Sequence, residues 1–199
     1  MLRRLSLVLI SCVCLAACSS PESPQQSAAQ PDGGWTTLFD GTDLTGWTQV
    51  GDANWRITDN AVEADGGTGF LLTPASYDDF DLELEFWVSP DANSGVFIRC
   101  ANPAEIGAMT CYEVNIYDQR PDPKYRTGAI VDVAEPAVMI DTGNRWNTYA
   151  ISAKGPRLLV TLNGQQTVDV VNDRFAAGPI ALQYGAGTVM FRNVRIRAE

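Results

Sequence analysis

The stretch DLELEFWV, from Asp81 to Val88, alternates apolar and polar or aromatic side chains over its whole length. In an extended chain Leu82, Leu84, Phe86 and Val88 share one side, and Asp81, Glu83, Glu85 and Trp87 share the other. A period of two residues indicates a β-strand with one buried side and one side that faces solvent. This stretch therefore predicts a central strand of an antiparallel sheet.

Short β-branched and aromatic segments recur on both sides of this stretch, separated by glycine, proline and polar turns, and the strands they predict include 54–64 and 129–133. Asn163-Gly164 lies between the alternating segments 157–162 and 165–170, and both turn residues accept the positive φ of a tight hairpin. Few segments follow a helical period, and no long repeat is present. The pattern predicts an all-β fold, an antiparallel β-sandwich.

The N-terminus predicts export and lipidation. Residues 1–17 combine a basic start with a mostly apolar run that is too short for an ordinary membrane span, as in a signal peptide. Leu15-Ala16-Ala17-Cys18 resembles a bacterial lipobox, so we expect lipid on Cys18, and Ser19 favours sorting to the outer membrane. Residues 18–34, rich in Ser, Pro and Gln, predict a flexible tether before a domain at 35–199.

Composition excludes several classes of function. The 199 residues contain 14 Lys plus Arg, 24 Asp plus Glu and no His, for a net charge of -10. Without histidine there is no Ser-His-Asp triad and no His-ligated zinc site. The acidic balance argues against a nucleic acid partner. We expect membrane contact through the lipid anchor only and no required cofactor, with a divalent cation left open.

Cys100 and Cys111 are the two cysteines of the predicted domain. In an exported protein the default expectation is a disulfide across a hairpin, and a pair of reduced thiols is the alternative. Direct pairing of the flanking strands would place Cys100 opposite Tyr112 and Cys111 on the other face. The disulfide therefore requires a bulge or an irregular hairpin end.

Three predicted strands carry polar and aromatic side chains opposite their apolar ones. These side chains are Glu85 and Trp87 in the first, Phe97 and Arg99 in the second, and Glu113, Asn115 and Tyr117 in the third. Trp87 beside carboxylates is typical of a sugar-binding groove, and a Glu, an Arg, an Asn and two aromatic rings are suited to hold a sugar if the second and third sets face one groove. The alternative is an Arg-Glu pair that satisfies itself across strands.

Several ordered motifs resemble the 3-keto-disaccharide hydrolase family of bacterial envelope proteins. They are WTTLFDG at 35–41, LTGW at 44–47, NSGVFIR at 93–99, YEVNIYD at 112–118, WNTY at 146–149, LQ at 182–183 and FRNVRI at 191–196. The resemblance implies a concanavalin-like jelly roll that acts on glycosides whose C3 hydroxyl is oxidised to a ketone. Many members carry Asp-His-Gly after the Leu-Gln pair, where this chain has Tyr184-Gly185-Ala186.

The implied substrate suggests roles for the polar residues. A C3 ketone acidifies the C2 proton, so a carboxylate can remove it while a cation holds the enolate and the aglycone leaves C1. We assign Glu113 as the base and Arg99 as the enolate partner. The other expected site residues are Asn93, Asn115 and Gln183 as hydroxyl contacts, Trp87 and Tyr117 as stacking surfaces, and Glu113 with Asp118 as ligands if a divalent cation takes part.

Three alternatives stay open. An ordinary two-carboxylate glycosidase has Glu83, Glu85 and Glu113 available. The same sandwich also serves as a lectin, so a carbohydrate-binding lipoprotein without turnover is a second reading, and an envelope scaffold is a third.

Overall fold

Strand β6 (Phe80–Val88) lies within the larger of two antiparallel sheets, and its residues alternate between buried and half-buried positions as the sequence predicts. The structure is a computed structural model and describes residues 33–199. The predicted signal peptide, Cys18 and most of the predicted tether lie outside the described residues. Within 33–199 no helix is long and apolar enough to cross a membrane.

In the described part of the chain, thirteen strands make up two sheets. They are β1 (Thr36–Phe39), β2 (Thr48–Gly51), β3 (Arg56–Thr58), β4 (Ala61–Ala64), β5 (Gly69–Leu72), β6, β7 (Ser94–Ile98), β8 (Tyr112–Ile116), β9 (Trp146–Lys154), β10 (Arg157–Leu162), β11 (Gln165–Val171), β12 (Ala181–Tyr184) and β13 (Val189–Ala198). The larger sheet has the order β11-β10-β9-β6-β13-β4-β3, and β1 also pairs with β13. The smaller sheet has the order β2-β5-β12-β7-β8. This arrangement confirms the predicted all-β antiparallel sandwich.

The core lies between the two sheets. Leu82 and Phe86 of β6 point inward with Phe191 of β13, and Val96 and Val114 of the smaller sheet belong to the same buried cluster. Each such side chain contributes about 2 kcal/mol when it leaves water. Alternation in each strand thus produces one apolar layer and leaves two outer faces.

Turn residues explain two local outcomes. Asn163 and Gly164 both have positive φ, 50° and 78°, and connect β10 to β11 as predicted. Residues 54–64, predicted as one strand, instead form β3 and β4, because Asp59 and Asn60 take positive φ and reverse the chain. The predicted strand at 129–133 is a loop that makes isolated bridges.

A disulfide joins Cys100 to Cys111 across the end of the β7–β8 hairpin, with the two Cα atoms 4.2 Å apart. Tyr112 pairs with Ile98, so the prediction that Cys100 would stand opposite Tyr112 was wrong by two residues. Regular pairing stops at Ile98, and Arg99 takes a φ of 50°. The expected irregular hairpin end is therefore present, and it brings the cysteines together.

Candidate functional site

The outer face of the smaller sheet carries the candidate site, and its centre combines apolar and polar side chains. Phe97 of β7 pairs with Glu113 of β8 and with Ala181 of β12. Phe70 of β5 packs edge-on against Phe97, with ring centroids 5.3 Å apart. Gln183 pairs with Phe70 in the neighbouring row. An apolar floor thus surrounds one carboxyl and one amide.

Glu113 is the titrating group of this face. Burial raises the pKa of its carboxyl to about 7, with Arg120 nearby acting to lower the pKa and Asp132 acting to raise it. No hydrogen bond or ion pair with any residue of 33–199 engages this carboxylate. A carboxyl that is half ionised near neutral pH is suited to accept or donate a proton.

The loop that follows β8 places charged and aromatic groups beside Glu113. Val131 N–H donates to the Glu113 carbonyl at 3.0 Å, which fixes the loop to the strand. The Tyr125 hydroxyl donates to Asp132 Oδ1 at 2.8 Å. The Arg120 guanidinium lies 5.7 Å from the centre of the Tyr125 ring. We call Glu113, Arg120, Tyr125 and Asp132 the Glu113 site.

A cavity of about 670 Å³ opens along this loop. It is lined by Lys124, Tyr125, Ile130, Asp132, Val133, Ala134 and Glu135. Two of these residues, Tyr125 and Asp132, also belong to the Glu113 site. The loop therefore offers an open space with a mixed polar and apolar lining, which shares Tyr125 and Asp132 with the Glu113 site.

Arg99 is not brought to Glu113, contrary to expectation. Its side chain is buried, and it donates to the carbonyls of Asp78 at 2.8 Å and Gly155 at 2.7 Å. Its guanidinium also pairs with Asp79 Oδ1 at 3.0 Å. The positive φ of Arg99 takes the chain out of strand alternation, so this arginine ties together loops at one end of the sandwich.

Trp87 also lies elsewhere. It belongs to β6 in the larger sheet, whereas Glu113 belongs to β8 in the smaller sheet. Both side chains point away from the core, so they occupy opposite outer faces. The expectation that Trp87 is a stacking surface at the same site as Glu113 was wrong, because alternation does not specify which sheet a strand joins.

The residues predicted to contact a sugar have different environments in the structure. Asn115 is buried, and its amide donates to the Tyr125 carbonyl, so it holds the loop. Gln183 has a buried Oε1 that no hydrogen bond satisfies within the described chain. Asn93 is half-buried, and its backbone pairs with Ala186. Tyr117 lies below Arg120, 5.8 Å from the guanidinium carbon to the ring centre.

Asp118 holds loops and is not available beside Glu113. Its Oδ2 accepts from the N–H groups of Thr142 at 2.6 Å and Gly143 at 3.1 Å. Its Oδ1 accepts from the hydroxyls of Thr127 at 2.5 Å and Thr142 at 2.9 Å. In residues 33–199 no group of three Asp, Glu, His or Cys side chains is placed to share a metal ion. The oxygens of Asp118 are therefore occupied by loop donors, whereas the Glu113 carboxyl has no such donor in these residues, and a cation held by the two stays a prediction.

Arg120, Tyr125 and Asp132 were not predicted from the sequence. Their segment contains Pro121 and Pro123, and it includes a single 3-10 turn at Pro123–Tyr125. The sequence does show that this segment directly follows the strand that carries Glu113, and this proximity in sequence could have indicated its residues.

Residues 34–197 match the model of a family described as the 3-keto-alpha-glucoside-1,2-lyase-like domain. The chain belongs to this family. The resemblance predicted from the ordered motifs is confirmed, and glycoside hydrolase-like or carbohydrate-binding function is the class that the family supports.

Two curated proteins are similar over part of their length. A levanase of Bacillus subtilis is 25% identical over 164 residues, which cover 80% of this chain and 24% of the levanase. A 3-keto-disaccharide hydrolase of Bacteroides thetaiotaomicron is 32% identical over 77 residues, covering 32% of this chain and 27% of that protein. The chain thus matches about a quarter of the length of each.

Solved structures confirm the concanavalin-like jelly-roll fold. A protein from Parabacteroides distasonis named as a glycosyl hydrolase has a TM-score of 0.76 and 20% identity, covering 84% of this chain and 94% of the other. The carbohydrate-binding module CBM66 from Bacillus subtilis has a TM-score of 0.61 and 23% identity, covering 75% and 94%.

Proposed function

We propose that this protein cleaves the glycosidic bond of 3-keto-α-glucosides at the outer face of the smaller sheet, with Glu113 as the proton acceptor. The observation that carries the proposal is the Glu113 carboxyl, whose pKa is raised to about 7 by burial and whose oxygens have no protein partner in residues 33–199. Membership of the family supplies the substrate class.

The reaction is an elimination followed by hydration. Glu113 removes the proton from C2, which the C3 ketone acidifies, and the electron pair of that C–H bond forms an enolate. Collapse of the enolate makes a C1–C2 double bond and expels the aglycone oxygen from C1, which takes up a proton. Water then adds across the double bond, so the net result is hydrolysis. A base with a pKa near the working pH is efficient in such a step.

Arg120 takes the role first assigned to Arg99. The positive charge of its guanidinium acts to lower the pKa of the Glu113 carboxyl, and the guanidinium lies near the rings of Tyr117 and Tyr125. A fixed positive charge beside the base lowers the energy of a developing enolate oxygen. Arg99 cannot fill this role, because its donors are used by Asp79 and by backbone carbonyls.

Gln183 is the best-placed contact for a sugar hydroxyl. Its Oε1 is buried without a hydrogen-bond partner among residues 33–199, and an unsatisfied buried acceptor costs free energy until a donor arrives. The Tyr184 that follows is buried in the core, and Gly185 and Ala186 bond to Asn93 through the backbone. With no histidine in the chain, Glu113 supplies the proton acceptor that works near neutral pH.

Anchoring is proposed from the sequence alone. Residues 1–18 carry the signal and lipobox pattern, so we propose a lipid-anchored protein of the bacterial envelope, in the outer membrane. Metabolic labelling with a radioactive fatty acid tests this, because Cys18→Ser removes the label if the proposal holds.

The test of the activity is aglycone release from a chromogenic 3-keto-α-glucoside and from its unoxidised parent. The purified full chain is compared with Glu113→Gln, Arg120→Met and, as a matched control, Glu105→Gln in an exposed loop. We expect release from the keto compound only, a loss of at least about 100-fold in Glu113→Gln, and no change in the control. A parallel assay with chelator tests the divalent cation. Undiminished release by Glu113→Gln would overturn the assignment.

A second candidate is carbohydrate binding without turnover. The fold matches a carbohydrate-binding module, and the Asp-His-Gly found in many family members is replaced here by Tyr184-Gly185-Ala186. This candidate predicts that the keto compound binds to wild type and to Glu113→Gln with similar affinity, while neither protein releases the aglycone.

A further inference from the structure

A groove of about 670 Å³ runs over the outer face of the larger sheet, on the side of the sandwich away from Glu113. Thr37 of β1 lines one side of the groove, and Thr161 and Gly164 line the other. Its floor is formed by β6 and β9 through Glu83, Glu85, Thr148 and Ala150. The proposed reaction uses none of these residues.

Aromatic rings stand at both ends of the groove floor. Trp87 and Trp146 are direct cross-strand partners on β6 and β9, one position beyond the floor residues on the same face. Trp35 lies toward the other end, with the Arg197 guanidinium carbon 5.0 Å from its ring centre. On β6 the distance from Asp81, the partner of Arg197, to Trp87 is about 20 Å at the usual rise of a strand. This spacing suits a chain of several sugar rings.

Trp87 is the ring with an open contact surface. It is half-buried, and within residues 33–199 it makes no hydrogen bond and no ring contact. Trp146 differs, since the Arg192 guanidinium carbon lies 3.9 Å from its ring centre. Indole rings with one exposed face bind the C–H faces of sugars by apolar contact while their edges remain polar.

Charges on this face are paired across the strands. Arg192 contacts Glu85, Arg195 contacts Glu83 and Arg197 contacts Asp81, each with a nitrogen–oxygen distance of 2.7 Å. Paired charges leave little net field to attract an ionic ligand. The same groups, with the hydroxyls of Thr37, Thr148 and Thr161 and the Asn193 amide, supply hydrogen-bond donors and acceptors side by side.

We propose that this groove binds an uncharged glucan oligosaccharide at a site separate from the Glu113 site. Sugar hydroxyls each donate and accept, which matches a groove of paired ions, hydroxyls and amides, and Trp87 supplies the stacking surface. The choice of glucose-based chains rests on the proposed function. The protein then has two carbohydrate faces, one for bond cleavage and one that holds a longer chain.

The test measures binding by calorimetry with maltohexaose, cellohexaose and laminarihexaose, and with a chondroitin hexasaccharide as the charged comparison. The full chain is compared with Trp87→Ala and with Thr148→Arg, which adds bulk and charge at an exposed floor position without touching the core. Thr68→Arg, at an exposed turn of the smaller sheet, is the matched control. Glu113→Gln reports on the other face.

We expect wild type, Glu113→Gln and Thr68→Arg to bind at least one neutral hexasaccharide equally, and Trp87→Ala and Thr148→Arg to bind it at least about 10-fold more weakly. Aglycone release from a small keto-glucoside stays unchanged in Trp87→Ala. If wild type releases no aglycone while this binding pattern holds, the proposed reaction is wrong and the proposed oligosaccharide site is supported. The groove is overturned if no neutral hexasaccharide binds, if Thr148→Arg binds normally, or if the charged hexasaccharide binds as tightly.

Discussion

At the scale of the residue, the positions of Arg99 and Arg120 depend on backbone conformation and on contacts that strand alternation does not describe. Alternation in β8 correctly placed Glu113 on an outer face, because strand geometry is local. The same reasoning failed for Arg99, whose φ of 50° breaks the alternation after Ile98. Arg120 lies in a loop whose course depends on contacts distant in sequence, so no local pattern could place it beside Glu113.

We predict that Arg99→Met lowers the free energy of unfolding by about 3 kcal/mol, because it removes the Asp79 ion pair and leaves the carbonyls of Asp78 and Gly155 without their arginine donor. Arg120→Met should change stability by less than about 1 kcal/mol while it reduces aglycone release. Urea unfolding followed by circular dichroism measures both. A fully stable Arg99→Met protein would contradict the structural role of this arginine.

The raised pKa of Glu113 also predicts a pH-dependent stability. The carboxyl holds its proton more tightly in the folded protein than in the unfolded chain, so wild type loses stability as pH rises from about 4.5 to about 7. Glu113→Gln removes this loss and should be more stable than wild type by about 3 kcal/mol at pH 8, with the advantage vanishing near pH 4. Thermal melts at both pH values measure the difference, and a constant offset would contradict the raised pKa.

At the scale of the element, long alternating strands were predictable and short exposed ones were not. β6 and β13 carry strong alternation, whereas β1 and β2 have only four residues each, most of them exposed. Their pairing depends on neighbours supplied by the folded sheet. A hairpin could be predicted where its turn residues are typical of a tight turn. Asn163-Gly164 is such a pair, whereas Asp59-Asn60 is less typical and its turn was not predicted.

The segment before β12 passes close to the backbone of Cys100 at Gly178, and this contact gives a prediction at this scale. A Cβ on Gly178 would lie 2.3 Å from the backbone nitrogen of Cys100 and 2.4 Å from its oxygen. Gly178→Ala should therefore destabilise the protein by about 3 kcal/mol or more, since backbone atoms must move. Gly107→Ala is the matched control, because no described atom lies within 4 Å of its added Cβ. Equal melting temperatures for the two variants would contradict the close contact.

At the scale of the whole molecule, the sandwich places Trp87 and Glu113 on opposite outer faces, although both were expected at one sugar site. Consecutive strands β6 and β7 belong to different sheets, and β13 completes the larger sheet between β6 and β4. Alternation predicts which residues of a strand face the core. It does not predict which sheet the strand joins, because this depends on pairings such as that of β6 with β13, over a hundred residues apart. The motifs of the family still located the Glu113 face, since several of them lie on β7, β8 and β12.

The pH dependence of kcat/KM for aglycone release from a 3-keto-α-glucoside tests the account most directly. Samples are quenched and read at one common pH, so that only the enzymatic step varies. We predict that kcat/KM rises with pH through about 7 and then levels off, as Glu113 ionises, and that Glu113→Gln is at least about 100-fold slower without this step. A wild-type profile that is flat between about pH 5 and 9, or an unchanged step in Glu113→Gln, would contradict Glu113 as the base.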